Sequence, residues 1–178
     1  MNNFVLIGMP ACGKSTFGVV LAKALGMSFA DTDLMIQKKT GRLLQDIIDK
    51  DGMDAFLKIE DEVLSEVELD NTVIATGGSA VYSDRGMKHL GESGTIVYIE
   101  LPFKEIDRRL NNIKTRGIAM APGQTLKDLY DLRVPLYEKY ADVTLDTAGM
   151  NLEDSVEEFM KKMDIEKPAS AENFKRQK

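Results

Sequence analysis

The residues Gly8-Met-Pro-Ala-Cys-Gly13-Lys14-Ser15 are the strongest indication of the fold, because they match the pattern G-x-x-x-x-G-K-[ST]. It follows the apolar run Phe4–Ile7, which predicts a buried strand, and it precedes Thr16–Leu25, which predicts a helix. In that strand–loop–helix setting the pattern is typical of a phosphate-binding loop, the P-loop. Glycines let the backbone approach phosphate oxygens closely, and the amides that open the helix face the anion.

The P-loop also predicts which residues meet the nucleotide. We expect Lys14 to reach the β- and γ-phosphates and Ser15 Oγ to ligate Mg²⁺. Cys12 occupies a variable position of the motif, and we assign it no catalytic role. The P-loop residues assigned to nucleotide binding are Gly8, Met9, Pro10, Ala11, Cys12, Gly13, Lys14, Ser15 and Thr16.

The length, composition and net charge of the chain are typical of a globular protein of one domain. The 178 residues suffice for one well-buried domain, and contents of 43 % hydrophobic and 29 % charged residues are ordinary for a globular protein. A net charge of −6 argues against nucleic-acid binding, which needs a basic surface. Cys12 is the only cysteine, so no internal disulfide is possible and we expect a cytoplasmic protein. We expect no signal peptide and no membrane span, because the apolar runs are too short.

Apolar runs alternate with helical patterns along the chain. This alternation predicts an α/β fold with a parallel sheet covered on both faces. The predicted strands are Phe4–Ile7, Ser28–Ala30, Val73–Ala75, Thr95–Leu101 and Val143–Leu145. The predicted helices include Asp54–Leu69, Phe103–Leu110, Leu126–Tyr140 and Leu152–Met163.

Three segments depart from this alternation. Residues 32–69 are nearly all helical and are inserted between the second and third strands. Residues 111–124 are polar with two glycines and a proline, which favours a lid that expels water or, alternatively, an ordinary loop between helices. Residues 166–178 are polar without periodicity and predict a disordered tail. We therefore expect a single domain over residues 1–165.

Two carboxylates follow the second predicted strand, at the edge where open α/β sheets bind ligands. We assign Asp31 to Mg²⁺, directly or through water, and Asp33 to orienting an acceptor hydroxyl and accepting its proton. The alternative is that Thr32 or Asp33 merely caps the helix that follows.

The segment Thr76-Gly77-Gly78-Ser79 follows the third predicted strand at the same edge. Adjacent glycines allow backbone amides to approach a ligand, although a plain tight turn would explain them equally well. Three arginines are further candidates: Arg109, Arg116 and Arg133. Arg116 lies in the predicted lid, where a guanidinium could cover the transferring phosphoryl group. The alternative for each arginine is a solvated surface charge.

Taken together, these segments resemble the shikimate kinase family, small P-loop kinases related to the nucleoside monophosphate kinases. The resemblance extends from about residue 3 to residue 163. It is carried by the segments GMPACGKST, FADTD, TGRLLQDIIDKDGMDAF with Glu60, ATGGSAV, TRGIAM and LRVPLYEKYAD. It implies a five-stranded parallel sheet in the order 2-3-1-4-5, flanked by helices. It also implies a lid at about 111–124, an acceptor-binding helical segment at about 32–60, and transfer of the ATP γ-phosphate to a ring hydroxyl.

The resemblance also implies roles for residues on the nucleotide side. By position, Lys14 and Arg116 bind phosphates, Ser15 and Asp31 serve Mg²⁺, and Arg109 stacks near adenine. The implied cofactors are therefore ATP and Mg²⁺, and the residues implied to be catalytic are Lys14, Asp33 and Arg116.

On the acceptor side the resemblance is incomplete. It implies that Asp33 contacts the acceptor hydroxyl, that Gly77 and Gly78 line the site, and that Arg133 contacts the acceptor carboxylate. Family members also carry an arginine for that carboxylate directly after a phenylalanine, whereas Phe56 is followed here by Leu57.

Three further positions of the acceptor site can be compared with the family pattern. Lys58 lies about 100° further around a helix than Leu57, and Glu60 keeps the position that would brace the missing arginine. The third glycine of the family's triplet is Ser79. We assign Phe56, Leu57 and Ser79 to the acceptor site together with the residues implied above.

Three functions are compatible with this sequence. The first is a kinase that phosphorylates shikimate. The second is a kinase for a different small hydroxyl compound, which Leu57 and Ser79 favour. The third is a nucleotide-binding regulator without turnover, against which the acceptor-side carboxylate Asp33 argues. The lid and cleft are self-contained in all three, so we expect a monomer.

Overall fold

The computed structural model describes residues 3–111 and 123–165. Within them the strands are Asn3–Ile7 (β1), Ser28–Asp31 (β2), Thr72–Ala75 (β3), Gly94–Glu100 (β4) and Val143–Asp146 (β5). The α-helices are Lys14–Leu25 (α1), Thr32–Thr40 (α2), Leu44–Asp51 (α3), Met53–Glu66 (α4), Asp84–Ser93 (α5), Phe103–Asn111 (α6), Leu126–Tyr140 (α7) and Leu152–Lys162 (α8). A short 3-10 helix spans Ala80–Tyr82.

The strands form one parallel sheet in the order β2-β3-β1-β4-β5, flanked by helices. β1 lies at its centre, where Val5 pairs with Ile74 of β3 and with Ile96 of β4. The α/β fold and the strand order expected from the sequence are confirmed. Because all strands are parallel, the segments after β1, β2 and β3 meet at one edge of the sheet.

The core explains why β1 is central. Val5, Leu6 and Ile7 are fully buried, as expected for a strand covered on both faces. Phe159 of α8 contacts Phe4 and Phe17 edge-on, with ring centroids 5.1 and 6.0 Å away. Through these contacts α8 packs against both β1 and α1.

Some boundaries differ from the expectation. Helix α4 ends at Glu66 instead of Leu69, because the backbone of Val67 is extended (φ −66°, ψ 112°). Helix α5 and the 3-10 helix were not predicted. Helix α7 has the bounds predicted for it and begins with a capping box formed by Thr125 and Asp128.

Parts of the predicted domain organisation lie outside the described residues. These are the segment 112–122, which makes up most of the predicted lid, and the tail 166–178. The single domain over 1–165 stays a prediction. None of the helices described combines the length and the apolar character needed to cross a membrane.

Candidate active site at the carboxyl edge of the sheet

The P-loop wraps tightly between β1 and α1. Gly8 and Gly13 have φ values of 144° and 104°, which favour glycine, and Ala11 also has a positive φ of 63°. A Cβ on Gly8 would lie 2.7 Å from the carbonyl oxygen of Ile99 in β4. The glycine therefore lets the loop pass directly over the sheet, as the sequence motif requires.

Lys14 is folded back onto this loop. Its Nζ donates hydrogen bonds to the carbonyl oxygens of Gly8, at 2.8 Å, and Met9, at 3.0 Å, and the residue is only 8 % exposed. The ammonium group is thus held at the loop without a carboxylate partner among the described residues. A phosphate oxygen is a stronger acceptor for it than a neutral carbonyl.

Ser15 and Asp31 bring two oxygen donors together. Ser15 Oγ donates a 2.8 Å hydrogen bond to Asp31 Oδ2. The other oxygen, Oδ1, accepts a 3.0 Å hydrogen bond from the backbone amide of Asp33 and so caps helix α2. Asp31 is therefore the helix cap, and the alternative that Thr32 or Asp33 has that role is wrong.

This pair suits Mg²⁺, which prefers oxygen ligands and keeps waters and phosphate oxygens in its shell. Among the described residues, no group of three or more His, Cys, Asp and Glu side chains could hold a metal ion. Ser15 and Asp31 would thus hold the ion only together with nucleotide phosphates, which fits a metal that arrives with its substrate.

The P-loop and Asp33 face one cleft of about 500 Å³, a size typical of small-molecule sites. Lys14 and Arg133 are the basic residues among those described that line it. The sequence-assigned residues that line the cleft are Pro10, Ala11, Gly13, Lys14, Ser15, Thr16, Asp31, Asp33, Phe56, Gly77, Gly78, Ser79 and Arg133.

The other assigned residues lie elsewhere. Met9 is buried in the core, and Cys12 and Arg109 line a smaller neighbouring cavity. Leu57 lines a different cavity, described below. Arg116 lies outside the described residues.

The two adjacent glycines are required by close packing. A Cβ on Gly77 would lie 2.6 Å from Glu60 Oε1 and 2.8 Å from Asp33 Oδ1. A Cβ on Gly78 would lie 2.8 Å from Pro10 Cδ and 3.1 Å from Arg133 Nη1. A methyl group at either position would require neighbouring side chains to shift, so close packing favours glycine here.

Arg133 is a buried residue of the cleft wall, only 1 % exposed, so the surface-charge alternative is wrong for it. Its Nε donates a 3.2 Å hydrogen bond to the hydroxyl of Tyr82, and its Cζ lies 5.2 Å from the centroid of the Tyr82 ring. One turn further along α7, the Tyr137 hydroxyl donates a 2.6 Å hydrogen bond to the carbonyl of Gly78. These contacts fix α7 against the glycine segment.

Glu60 is the most unusual titratable group of this region. It is 1 % exposed, and its Oε1 has no hydrogen-bond partner among the described residues. Burial, and to a smaller extent the charge of Asp33, raise the pKa of this carboxyl to about 7, although a hydrogen bond from Ser79 and the charges of Arg133 and Lys14 act in the opposite direction.

A side cavity of about 450 Å³ lies behind this carboxyl. It is lined by Leu57, Lys58, Glu60, Asp61, Ser79, Tyr82, Ser83, Asp84 and Arg85. Ser79 lines both the cleft and this side cavity. Leu57 and Ser79, two of the positions at which the chain departs from the family pattern, therefore line the same cavity; a third, Gly117, lies outside the described residues.

A third cavity, of about 220 Å³, adjoins the P-loop from the side of α1 and β4. Arg109 Nη1 donates hydrogen bonds to the carbonyls of Ala11 (3.3 Å) and Cys12 (3.2 Å) at its edge. Phe17, Ile99 and Leu152 contribute apolar surface. A planar base could pack between such surface and a guanidinium.

Two residues of the site were missed by the sequence assignment. Glu60 was noticed only through its position in the family pattern. Tyr82 gave no signal at all, because its partner Arg133 is 51 residues away in the chain. Only the packing of α7 against the 3-10 helix brings them together.

Comparisons with known proteins agree on one family. The shikimate kinase family model matches residues 10–164. A shikimate kinase from Haemophilus influenzae (strain PittEE) is 37 % identical over 154 residues, covering 84 % of this chain and 86 % of that protein. One from Thermodesulfovibrio yellowstonii is 37 % identical over 164 residues, covering 90 % and 94 %.

A comparison of the structure with solved structures also finds shikimate kinases. The structure is similar to that of a shikimate kinase from Acinetobacter baumannii in complex with shikimate, with a TM-score of 0.83 and 32 % sequence identity. The similarity covers 92 % of this chain and 93 % of that one.

Proposed function

The chain belongs to the shikimate kinase family, and on that premise we propose that it transfers the γ-phosphate of ATP to a ring hydroxyl of shikimate. The observation that carries this proposal is the shared cleft. A P-loop lysine, a carboxylate and a buried arginine, Lys14, Asp33 and Arg133, line the same 500 Å³ space. They are the groups needed for phosphate, hydroxyl and carboxylate respectively.

On the nucleotide side, Lys14 and the P-loop amides bind the phosphates, and Arg109 packs near the base. Ser15 and Asp31 hold Mg²⁺, which neutralises charge on the phosphates when it is bound. The tight loop geometry and the Ser15–Asp31 hydrogen bond support these assignments. Arg116 is proposed to contact the phosphates on the strength of the family resemblance alone.

On the acceptor side, Asp33 orients the hydroxyl and accepts its proton as the oxygen attacks the γ-phosphorus and ADP leaves. Arg133 pairs with the carboxylate, since a guanidinium matches a carboxylate with two parallel hydrogen bonds. Phe56, Gly77, Gly78 and Ser79 form the remaining wall.

A second candidate is a kinase for another hydroxyl compound. It is favoured by Leu57, which lies in the side cavity, where it offers no charge to a carboxylate. Losing one partner of a buried charge pair costs about 2–5 kcal/mol, or about 30-fold to several thousand-fold in affinity. An acceptor without a carboxylate would not incur this loss.

The test is ADP release measured against a panel of acceptors. The proposal predicts saturable release that depends on shikimate, with one phosphorylated shikimate formed per ADP by mass spectrometry. Lys14→Ala is the control for contaminating kinases and should release no ADP. Preference for an acceptor that lacks a carboxylate would support the second candidate instead.

We also propose that the protein is a monomer in the cytoplasm. Light scattering tests the monomeric state.

A further inference from the structure

We propose that Tyr82 positions Arg133 for binding the acceptor carboxylate. Tyr82 thereby compensates in part for the arginine that family members carry at the position of Leu57. This inference rests on the proposed function, because it concerns the same acceptor. Tyr82 does not line the cleft itself; it contacts Arg133 from the side cavity. It therefore acts through Arg133 and is a positioning residue.

Two contacts between Tyr82 and Arg133 restrict the orientation of the guanidinium group. The Tyr82 hydroxyl accepts a hydrogen bond from Nε at 3.2 Å, while its ring lies 5.2 Å from Cζ. One contact fixes an edge of the guanidinium and the other supports its face. Nη1 lies close to Gly78 in the cleft wall, 3.1 Å from the place that a Cβ of that residue would take. One terminal nitrogen of the guanidinium is thus placed at the wall of the cleft.

Preorganisation matters more here than in a site with two arginines. An arginine loses much conformational freedom when it is fixed, and a side chain that is ordered beforehand does not incur that cost on binding. Lys14 is committed to the P-loop carbonyls. Arg133 is the other basic residue among the described residues that line the cleft, so we assign the carboxylate to it, and its orientation matters for recognition.

Glu60 is less suited than Tyr82 to orient the guanidinium of Arg133. Its carboxyl is near Arg133, but burial and the neighbouring Asp33 disfavour its charged form, so its attraction for the guanidinium weakens as it takes up a proton. Its Oε1 lies close to Gly77, where a Cβ would be 2.6 Å away.

The test compares Tyr82→Phe, which keeps the ring, with Tyr82→Leu, which removes both contacts. We expect the KM for shikimate to rise about three- to tenfold in the first and further in the second. The kcat and the KM for ATP should change less than twofold. The matched control is Tyr140→Phe on the same helix as Arg133, whose hydroxyl contacts Asp84 and Lys139 at the surface.

A double-mutant cycle separates positioning from a general structural effect. If Tyr82 acts through Arg133, Tyr82→Phe adds nothing to the KM of an Arg133→Met variant; additive effects would contradict the proposal. Unchanged KM in both Tyr82 variants, with normal wild-type turnover of shikimate, overturns the Tyr82 proposal alone. If wild type phosphorylates no acceptor that bears a carboxylate, both this proposal and the proposed function are wrong.

Discussion

The side chain of Asp31 accepts a 3.0 Å hydrogen bond from the backbone amide of Asp33. The residue proposed for Mg²⁺ thus also begins helix α2 and fixes the residue proposed as the base. Its second oxygen accepts the hydroxyl of Ser15 at 2.8 Å. One carboxylate therefore connects the P-loop to the acceptor side of the cleft.

The first prediction concerns Asp33. Asp33→Asn should lower kcat by about 10²- to 10⁴-fold, the usual contribution of a positioned base. ATP binding, measured by isothermal titration calorimetry, should stay within threefold, because the helix cap belongs to Asp31. Asp49→Asn, on the exposed face of α3, is the control. Loss of ATP binding in the Asp33 variant would move this residue to the metal side of the site.

A second prediction concerns Mg²⁺. Ser15→Ala and Asp31→Asn should each raise the Mg²⁺ concentration needed for half-maximal rate about tenfold or more, since each removes a hard oxygen ligand. Asparagine still caps a helix well, so the Asp31 variant should keep its thermal stability within a few degrees. Ser28→Ala, at the exposed start of β2, provides the matched control. An unchanged Mg²⁺ dependence in both variants would contradict the assignment.

The third prediction tests the contact between the glycine segment and the carboxyls. Gly77→Ala should reduce kcat about tenfold to 100-fold, because its Cβ would displace Asp33 Oδ1 or Glu60 Oε1. Gly91→Ala in α5 is the control, since its Cβ would meet only the side chain of Ile96, at 3.3 Å. Full activity of the Gly77 variant would mean that Asp33 needs no fixed position.

A fourth prediction concerns the pH dependence of stability. The pKa of Glu60 is raised from 4.5 to about 7 in the folded chain, so the folded state binds one more proton than the unfolded state between these values. The free energy of unfolding should therefore fall as pH rises through this range, by roughly 3 kcal/mol at about 1.36 kcal/mol per pKa unit. Urea titrations at pH 5 and 8 measure it. Glu60→Gln should flatten the difference; an equal fall in both proteins would refute this explanation.

The fifth prediction concerns Leu57. Leu57→Arg should lower the KM for shikimate by about tenfold or more, because it adds a second cation for the acceptor carboxylate, in the side cavity beside Glu60 and Ser79, and Ser79 also lines the cleft. Leu34→Arg, at the exposed mouth of the cleft, controls for added positive charge. If wild type already has a micromolar KM and the variant gains nothing, carboxylate recognition was not weakened at this position.

Two features of the protein were predictable from local patterns in the sequence. The fold class follows from apolar strands that alternate with helices, and the P-loop follows from eight consecutive residues between a strand and a helix. The order 2-3-1-4-5 was implied by the family resemblance, and the structure confirms it. Asp31 and Asp33 were assigned from their place after a predicted strand, and their roles stay proposals. Local patterns suffice for such predictions because they do not depend on how distant segments pack.

The arrangement of side chains on the acceptor side depends on tertiary packing. Whether Leu57 faces the cleft or the side cavity depends on how α4 is rotated against its neighbours, which spacing does not fix. The hydrogen bond between Tyr82 and Arg133 joins residues far apart in the chain. The lack of a hydrogen-bond partner for Glu60 Oε1 among the described residues likewise depends on how distant segments pack. Burial then changes the chemistry, since the same carboxyl has an ordinary pKa in water and one near 7 inside the fold.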